Sequence, residues 1–163
     1  MFRDELPALF PDREDARRLS KQAFLLTEFL EQREWEPPKL TGRRALVQRH
    51  CHHQAVMGFD SDERMLETLG LDYEILDSGC CGMAGSFGFE AGEKYEVSQK
   101  AGERVLFPRV RQSTPDTLII ADGFSCRTQI QQGTGRRAVH LAQVILEAVR
   151  QQRAAAASLW GGQ

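Results

Sequence analysis

The sequence has no surplus of either charge: 21 Lys and Arg stand against 23 Asp and Glu, for a net charge of −2. Without a basic excess there is no electrostatic case for nucleic acid, and scattered charges argue against a polybasic membrane patch. Long apolar runs are also lacking. The first twenty residues mix Arg3, Asp4, Glu5, Asp12, Arg13 and Glu14 with two prolines, so they hold neither a signal-peptide apolar region nor a spanning helix. The expectation is a cytoplasmic protein, peripheral to the inner membrane only through a partner. No long linker, repeat or low-complexity stretch interrupts the chain, whose 163 residues, 41% hydrophobic and 27% charged, suit one ordinary globular domain with a sizeable core.

Cysteine is scarce as well, and its pattern excludes the common motifs. The four residues Cys51, Cys80, Cys81 and Cys126 are spaced C-x28-CC-x44-C, with no pair of C-x-x-C knuckles as in a zinc ribbon or ferredoxin. In a reducing compartment a clustered even set of thiols points to metal binding or catalysis before a disulfide framework.

What is present explains how so dispersed a set can meet. Arg44–Arg49, Tyr73–Asp77 and Thr117–Ala121 are short Val/Ile/Leu-centred runs bounded by Gly, Asp or Ser, and read as buried strands. Helical patterns lie between them: Ser61–Leu69, about Ala84–Phe89, Glu93–Arg111 with Pro108 bending or ending it, Ser125–Gln132 and Val139–Arg150. Alternating strands and helices predict an α/β fold, a mostly parallel central sheet with flanking helices. Each cysteine then falls just beyond the C-terminal end of a strand, where ligands of such sheets bind.

Residues 1–43 form an N-terminal helical segment that packs on the domain or a partner. Apolar positions Ala16, Leu19, Ala23, Leu26 and Leu30 predict one amphipathic helix over about Asp12–Gln32, capped by Asp12, and Phe24, Leu25 and Phe29 widen its stripe. Residues 44–153 form the cysteine-bearing domain, and 154–163 a frayed tail. The abrupt opening Met1-Phe2-Arg3 and the want of a separate substrate or cofactor domain suggest a subunit or an excised fragment.

Thiolates suit zinc or iron–sulfur clusters. Gly79-Cys80-Cys81-Gly82 precedes a predicted helix and Ser125-Cys126 opens another, so free backbone N–H groups should stabilise thiolate or sulfide. Adjacent cysteines point in divergent directions, awkward for one zinc ion and natural for different irons of a cluster. His50, His52 and His53 bracket Cys51; if the chain there keeps strand alternation, Cys51 and His53 share a side, which ranks His53 first as an added ligand. His140 reads as a structural partner. Gly85-x-x-Gly88 lacks the ending of a phosphate loop. Asp77, Asp122 and Glu90 are candidates for orienting ligands or handling protons, and Arg127 for balancing a cluster's charge. An exposed or structural role is the competing reading for each.

At His50–Ala55 (HCHHQA), Ser78–Gly88 (SGCCGMAGSFG) and Ala121–Ile130 (ADGFSCRTQI) the chain resembles the cysteine-rich CCG domain of heterodisulfide reductases and of glycolate oxidase iron–sulfur subunits. It is similar above all to the C-terminal regions of bacterial FAD-linked iron–sulfur oxidoreductases of the D-2-hydroxyglutarate and D-lactate dehydrogenase kind. The resemblance covers about Arg44–Val149 and implies a metal site on Cys51, Cys80, Cys81 and a closing C-x-x-C. Here Gly123 occupies the place of that motif's first cysteine and only Cys126 remains, so a five-thiolate cluster is not available. A conventional four-iron cluster, one with a histidine or outside ligand, a single metal ion and an empty remnant all stay open.

The resemblance thus implies an electron-transfer domain or subunit of an FAD-linked 2-hydroxyacid dehydrogenase. Its partners would be a flavin-containing dehydrogenase domain, which carries the FAD, and a ferredoxin-type cluster domain. A structural or assembly domain that binds zinc or no metal is the second reading. Thiol–disulfide catalysis by Cys80 and Cys81 is a third, disfavoured because vicinal disulfides are strained.

Overall fold

The computed structural model describes residues 1–160. Its centre is a three-stranded sheet built from β1 (Arg44–Gln48), β2 (Asp72–Ile75) and β3 (Leu118–Ala121), in the order β2-β1-β3. Both pairings are parallel, with Val47 opposite Ile75 on one side and Ile120 on the other. The expected α/β architecture is therefore present, and its sheet is parallel throughout.

Side-chain alternation along the strands feeds two cores. Ala45, Val47 and Ile120 face one layer, packed with Leu66 and Leu69 of α5 (Asp60–Thr68) and its end, and with Leu141, Val144, Ile145 and Ala148 of α9 (Leu141–Trp160). That last set recurs at spacings of three and four, one face of a helix. Leu46, Ile119 and Ala121 face the other layer, with Leu106, Phe107 and Val110 of α7 (Leu106–Gln112) and Ile130 of α8 (Phe124–Thr134). Cys81 and Cys126 belong to this second core.

The order β2-β1-β3 means the chain leaves β1 to one side for β2, then crosses back through α6 (Glu93–Glu103) and α7 to the other side for β3. The direction reverses between β1 and β3. This switch point opens a crevice at the C-terminal strand ends, where loops diverge instead of packing on one another.

Several predicted elements are corrected. The helix expected over Asp12–Gln32 is two, α2 (Glu14–Gln22) and α3 (Leu26–Gln32), after a short α1 (Glu5–Leu9) that the sequence pattern did not reveal. Ala23 and Leu25 are extended, and the Leu25 N–H donates to the Glu28 carboxylate at 2.8 Å, starting a new helix. The apolar period runs through the break, so spacing could not locate it. Asp12 is not the cap; Arg13 holds that position without a side-chain bond. Nor is the stripe fully buried: Ala16 is, whereas Leu19, Phe24, Leu26 and Phe29 are exposed.

The helix expected at Ala84–Phe89 is one 3-10 turn, Phe87–Phe89, because Gly82, Ala84 and Gly85 take positive φ. Glu93–Arg111 is divided at Arg104–Val105 into α6 and α7. Pro108 lies in the first turn of α7, where its missing N–H costs nothing. The segment from Ala154 continues α9 as far as Trp160, in keeping with the high helix propensity of its alanines. Residues 161–163 of the expected frayed tail lie outside the described residues.

Candidate metal centre

The three strand exits deliver the cysteines as their order requires. Cys51 is the first residue of α4 (Cys51–Met57), directly after β1; Cys80 and Cys81 follow β2; Cys126 lies in the first turn of α8, after β3. All three exits are on one edge of a parallel sheet, which makes the four thiols neighbours there. Cys80 interacts with Cys51 and Cys81, and Cys81 with Cys126 and Cys80. Cys126 also feels Cys51 and Cys80. All four are free thiols, Cys51 and Cys80 exposed and Cys81 and Cys126 buried.

Their protonation follows from this proximity. The Cys126 thiol beside it, and the N–H groups around Met83, outweigh burial and bring Cys81 down to about 6. Cys126 is pushed strongly upward by the same pairing and by burial. Cys80 is raised, chiefly by desolvation, although the Gly82 N–H donates to its sulfur at 3.3 Å. The N–H groups come from the loop itself and not from the helix expected after Gly82.

The donor set fits a thiolate-bound group: four sulfurs from three loops, one of them already anionic near neutral pH. As it stands the set is not spaced for a single ion. Among the described residues no group of three or more His, Cys, Asp and Glu side chains is arranged to hold one. Gly79, Gly82 and Gly85, all at positive φ around Cys80 and Cys81, give that loop backbone conformations that residues with a side chain rarely adopt.

The histidines arrange themselves otherwise than strand alternation predicts, because Cys51 opens a helix. The His50 side chain caps α4, its Nδ1 accepting from the His53 N–H at 3.4 Å, and its ring lies against Gly123. His53 turns to Asp62, its Nε2 3.0 Å from Oδ2. Buried there, the two atoms have no partner but each other among the described residues. Asp62 raises the His53 pKa against the effect of burial, while burial lowers that of His50. His52 pairs with Asp4 at 3.1 Å. All four histidines of the chain, His140 included, line one cleft of about 480 Å³ at the β1–β3 switch point, with Asp62 and Asp122. Sequence distance concealed that His140 belongs with the others.

Asp122 accepts from the Leu141 N–H at 2.8 Å and so caps α9, and Arg127 donates to the carbonyls of Ala121 and Asp122 at 3.0 and 2.6 Å. Both brace the exit of β3. Two buried glutamines escaped sequence reasoning, since Gln carries no motif. Gln48, at the end of β1, accepts from Ser78 and ties the β2 exit to the central strand. Gln129 donates to the Cys81 carbonyl at 3.0 Å.

About half of the chain is similar to parts of known dehydrogenases. One subunit of the anaerobic glycerol-3-phosphate dehydrogenase of Escherichia coli K12 is 38% identical over 80 residues, which are 49% of this chain and 19% of that protein. The D-2-hydroxyglutarate dehydrogenases of Escherichia coli K12 and Pseudomonas putida KT2440 are 35% and 33% identical over 81 and 85 residues, 8% of each. The aligned stretch thus spans less than a fifth of these relatives' length. No family profile and no solved structure matches. The similarity agrees with the CCG-domain resemblance and supports an oxidoreductase-associated domain. No helix among the described residues is long and apolar enough to cross a membrane.

Proposed function

We propose that this chain is the iron–sulfur, electron-transfer domain or subunit of an FAD-linked 2-hydroxyacid dehydrogenase-type oxidoreductase. Cys51, Cys80, Cys81 and Cys126 would hold a four-iron cluster, which when bound supplies one-electron transfer. The observation that supports this most is that three strand exits at one sheet edge bring four thiols near enough to perturb one another's protonation. The chain's own work is to keep Cys81 deprotonated, to bury two ligands in the core and to leave the Cys51 and Cys80 side facing outward. His53, held toward Asp62, is the weaker candidate for an added ligand. The flavin would reside on a partner dehydrogenase domain or subunit, with a ferredoxin-type cluster domain beside it. Any membrane association would be peripheral and made through that partner.

A second reading is a structural or assembly domain with zinc or no metal. It draws on the exposed Phe24, Leu26 and Phe29 of the N-terminal segment. Iron, zinc and acid-labile sulfide analysis of anaerobically prepared protein separates the two. Iron and sulfide with broad visible absorbance, lost in Cys126→Ala, supports the cluster; colourless protein with stoichiometric zinc, or with no metal after anaerobic reconstitution, overturns it.

A further inference from the structure

Gln129 has no exposed surface, and its carboxamide joins all three segments behind the buried thiols. Its Nε2 donates to the Cys81 carbonyl at 3.0 Å, the Ser98 carbonyl at 3.1 Å and the Ser98 hydroxyl at 2.9 Å. Its Oε1 accepts from Gln99 Nε2 at 3.2 Å. The orientation is fixed by chemistry: two of the three groups facing Nε2 are backbone carbonyls, which only accept, so the amide cannot turn over without setting oxygen against oxygen. Gln129 follows Cys126 by three residues and so lies on the same side of α8. One side chain therefore connects the helix bearing Cys126, the loop bearing Cys81 and α6.

The packing leaves that loop no slack. A β-carbon on Gly82 would come within 2.3 Å of the Ser98 carbonyl, and one on Gly88 within 2.5 Å of the Ser98 hydroxyl. The cysteine loop thus rests directly on α6 at the residue that Gln129 also grips. Gln129 is bonded to the Cys81 peptide itself, next to the sulfur that must face Cys126.

We propose that Gln129 is the positioning residue of the metal centre: it sets the Cys81 peptide against the first turn of α8, so that Cys81 and Cys126 face a common ligand. This rests on the metal-site reading above. Gln129 touches no bound group and acts through Cys81. Partners that orient metal ligands from behind are worth about 10–100-fold in metal affinity, and a glutamine that only filled the core would be worth nothing in that quantity.

The test uses the full chain and the variant Gln129→Met, similar in length but without donors. Cobalt(II) is titrated anaerobically against a competing chelator, read by its thiolate charge-transfer absorption, and iron and sulfide are measured after reconstitution. Circular dichroism and unfolding of the metal-free proteins report the fold. The expected result is a folded variant whose cobalt affinity falls by about 10-fold or more, with a weaker charge-transfer band and less iron and sulfide. A variant that is less stable yet binds cobalt with wild-type affinity and spectrum overturns the positioning role and leaves the metal site standing. A wild type that takes up neither cobalt nor an iron–sulfur cluster overturns both. Should Gln129→Met not fold, Gln99→Leu decides: it frees Oε1 but keeps the Nε2 bonds, so a smaller loss of affinity in the same direction supports the role and an unchanged affinity overturns it.

Discussion

The His50 imidazole lies across the backbone of Gly123, so closely that a β-carbon at position 123 would come within 2.6 Å of its Cδ2 and 3.0 Å of the Cys126 sulfur. Gly123 has an ordinary extended conformation, φ −65 and ψ 128, so space and not backbone freedom demands glycine there. The place where the resembled motif carries a cysteine is filled by a histidine from another loop.

This contact predicts a compensating pair. Gly123→Ala should destabilise the wild type by about 1–3 kcal/mol through overpacking. In a His50→Ala background, whose ring is gone, the same change should cost clearly less. Denaturant unfolding of the four proteins gives the coupling directly. Equal costs in both backgrounds would contradict the steric account.

Cys81 should titrate as an unusually acidic thiol in metal-free protein. Its thiolate is favoured by the Cys126 thiol, so ultraviolet thiolate absorbance should rise with a midpoint at about 6. Cys81→Ser should abolish that step, and Cys126→Ala, which removes the donor, should move it toward higher pH. A wild type with no step below the ordinary thiol range would refute the arrangement.

Glu28 links the N-terminal segment to itself at two points, accepting from Arg3 Nη1 at 2.7 Å and the Leu25 N–H at 2.8 Å. Burial would raise its pKa, but these donors prevail and hold it below the usual carboxylate range. The folded pKa is thus lower than the unfolded one. Its stabilisation is full above the unfolded pKa and disappears as acid protonates the folded carboxylate. Glu28→Gln should cost about 1 kcal/mol at neutral pH, with the difference from wild type shrinking toward zero in the acid range. Paired unfolding measurements across pH check this; a difference that does not depend on pH would count against it.

The Phe107 ring, fully buried, is enclosed by two glycines: β-carbons on Gly102 of α6 and Gly133 of α8 would come within 2.4 and 2.3 Å of it. Gly102→Ala should therefore destabilise by about 1–3 kcal/mol despite alanine's better helix propensity. Phe107→Leu, which removes the ring, should relieve part of that cost in the double variant. Thermal or denaturant unfolding measures it, and a stabilising Gly102→Ala would be the contrary result.

The strands were legible because Ala45-Leu46-Val47 and Leu118-Ile119-Ile120 are short apolar runs bounded by turn residues, and both appear within a residue or two of expectation. The break at Ala23–Leu25 was not, since an apolar period of three and four continues across it and the decisive bond, from the Leu25 N–H to Glu28, depends on which way a side chain turns. For the same reason strand alternation misplaced the histidines: Cys51 begins a helix, and a helix advances each side chain by about 100° where a strand advances it by 180°.

By itself the sequence determined the α/β class, the position of every cysteine just after a strand, and the kind of chemistry four thiols can offer. It could do so because strand length, apolar content and turn residues are local properties. Only the tertiary structure decided that β1 lies between β2 and β3, that Cys81 and Cys126 are buried in one core, and that His140 joins His50, His52 and His53. It also decided that Gln129 grips the Cys81 peptide. These depend on burial and on distances between residues remote along the chain, which are set only when the sheet and its two layers of helices pack together.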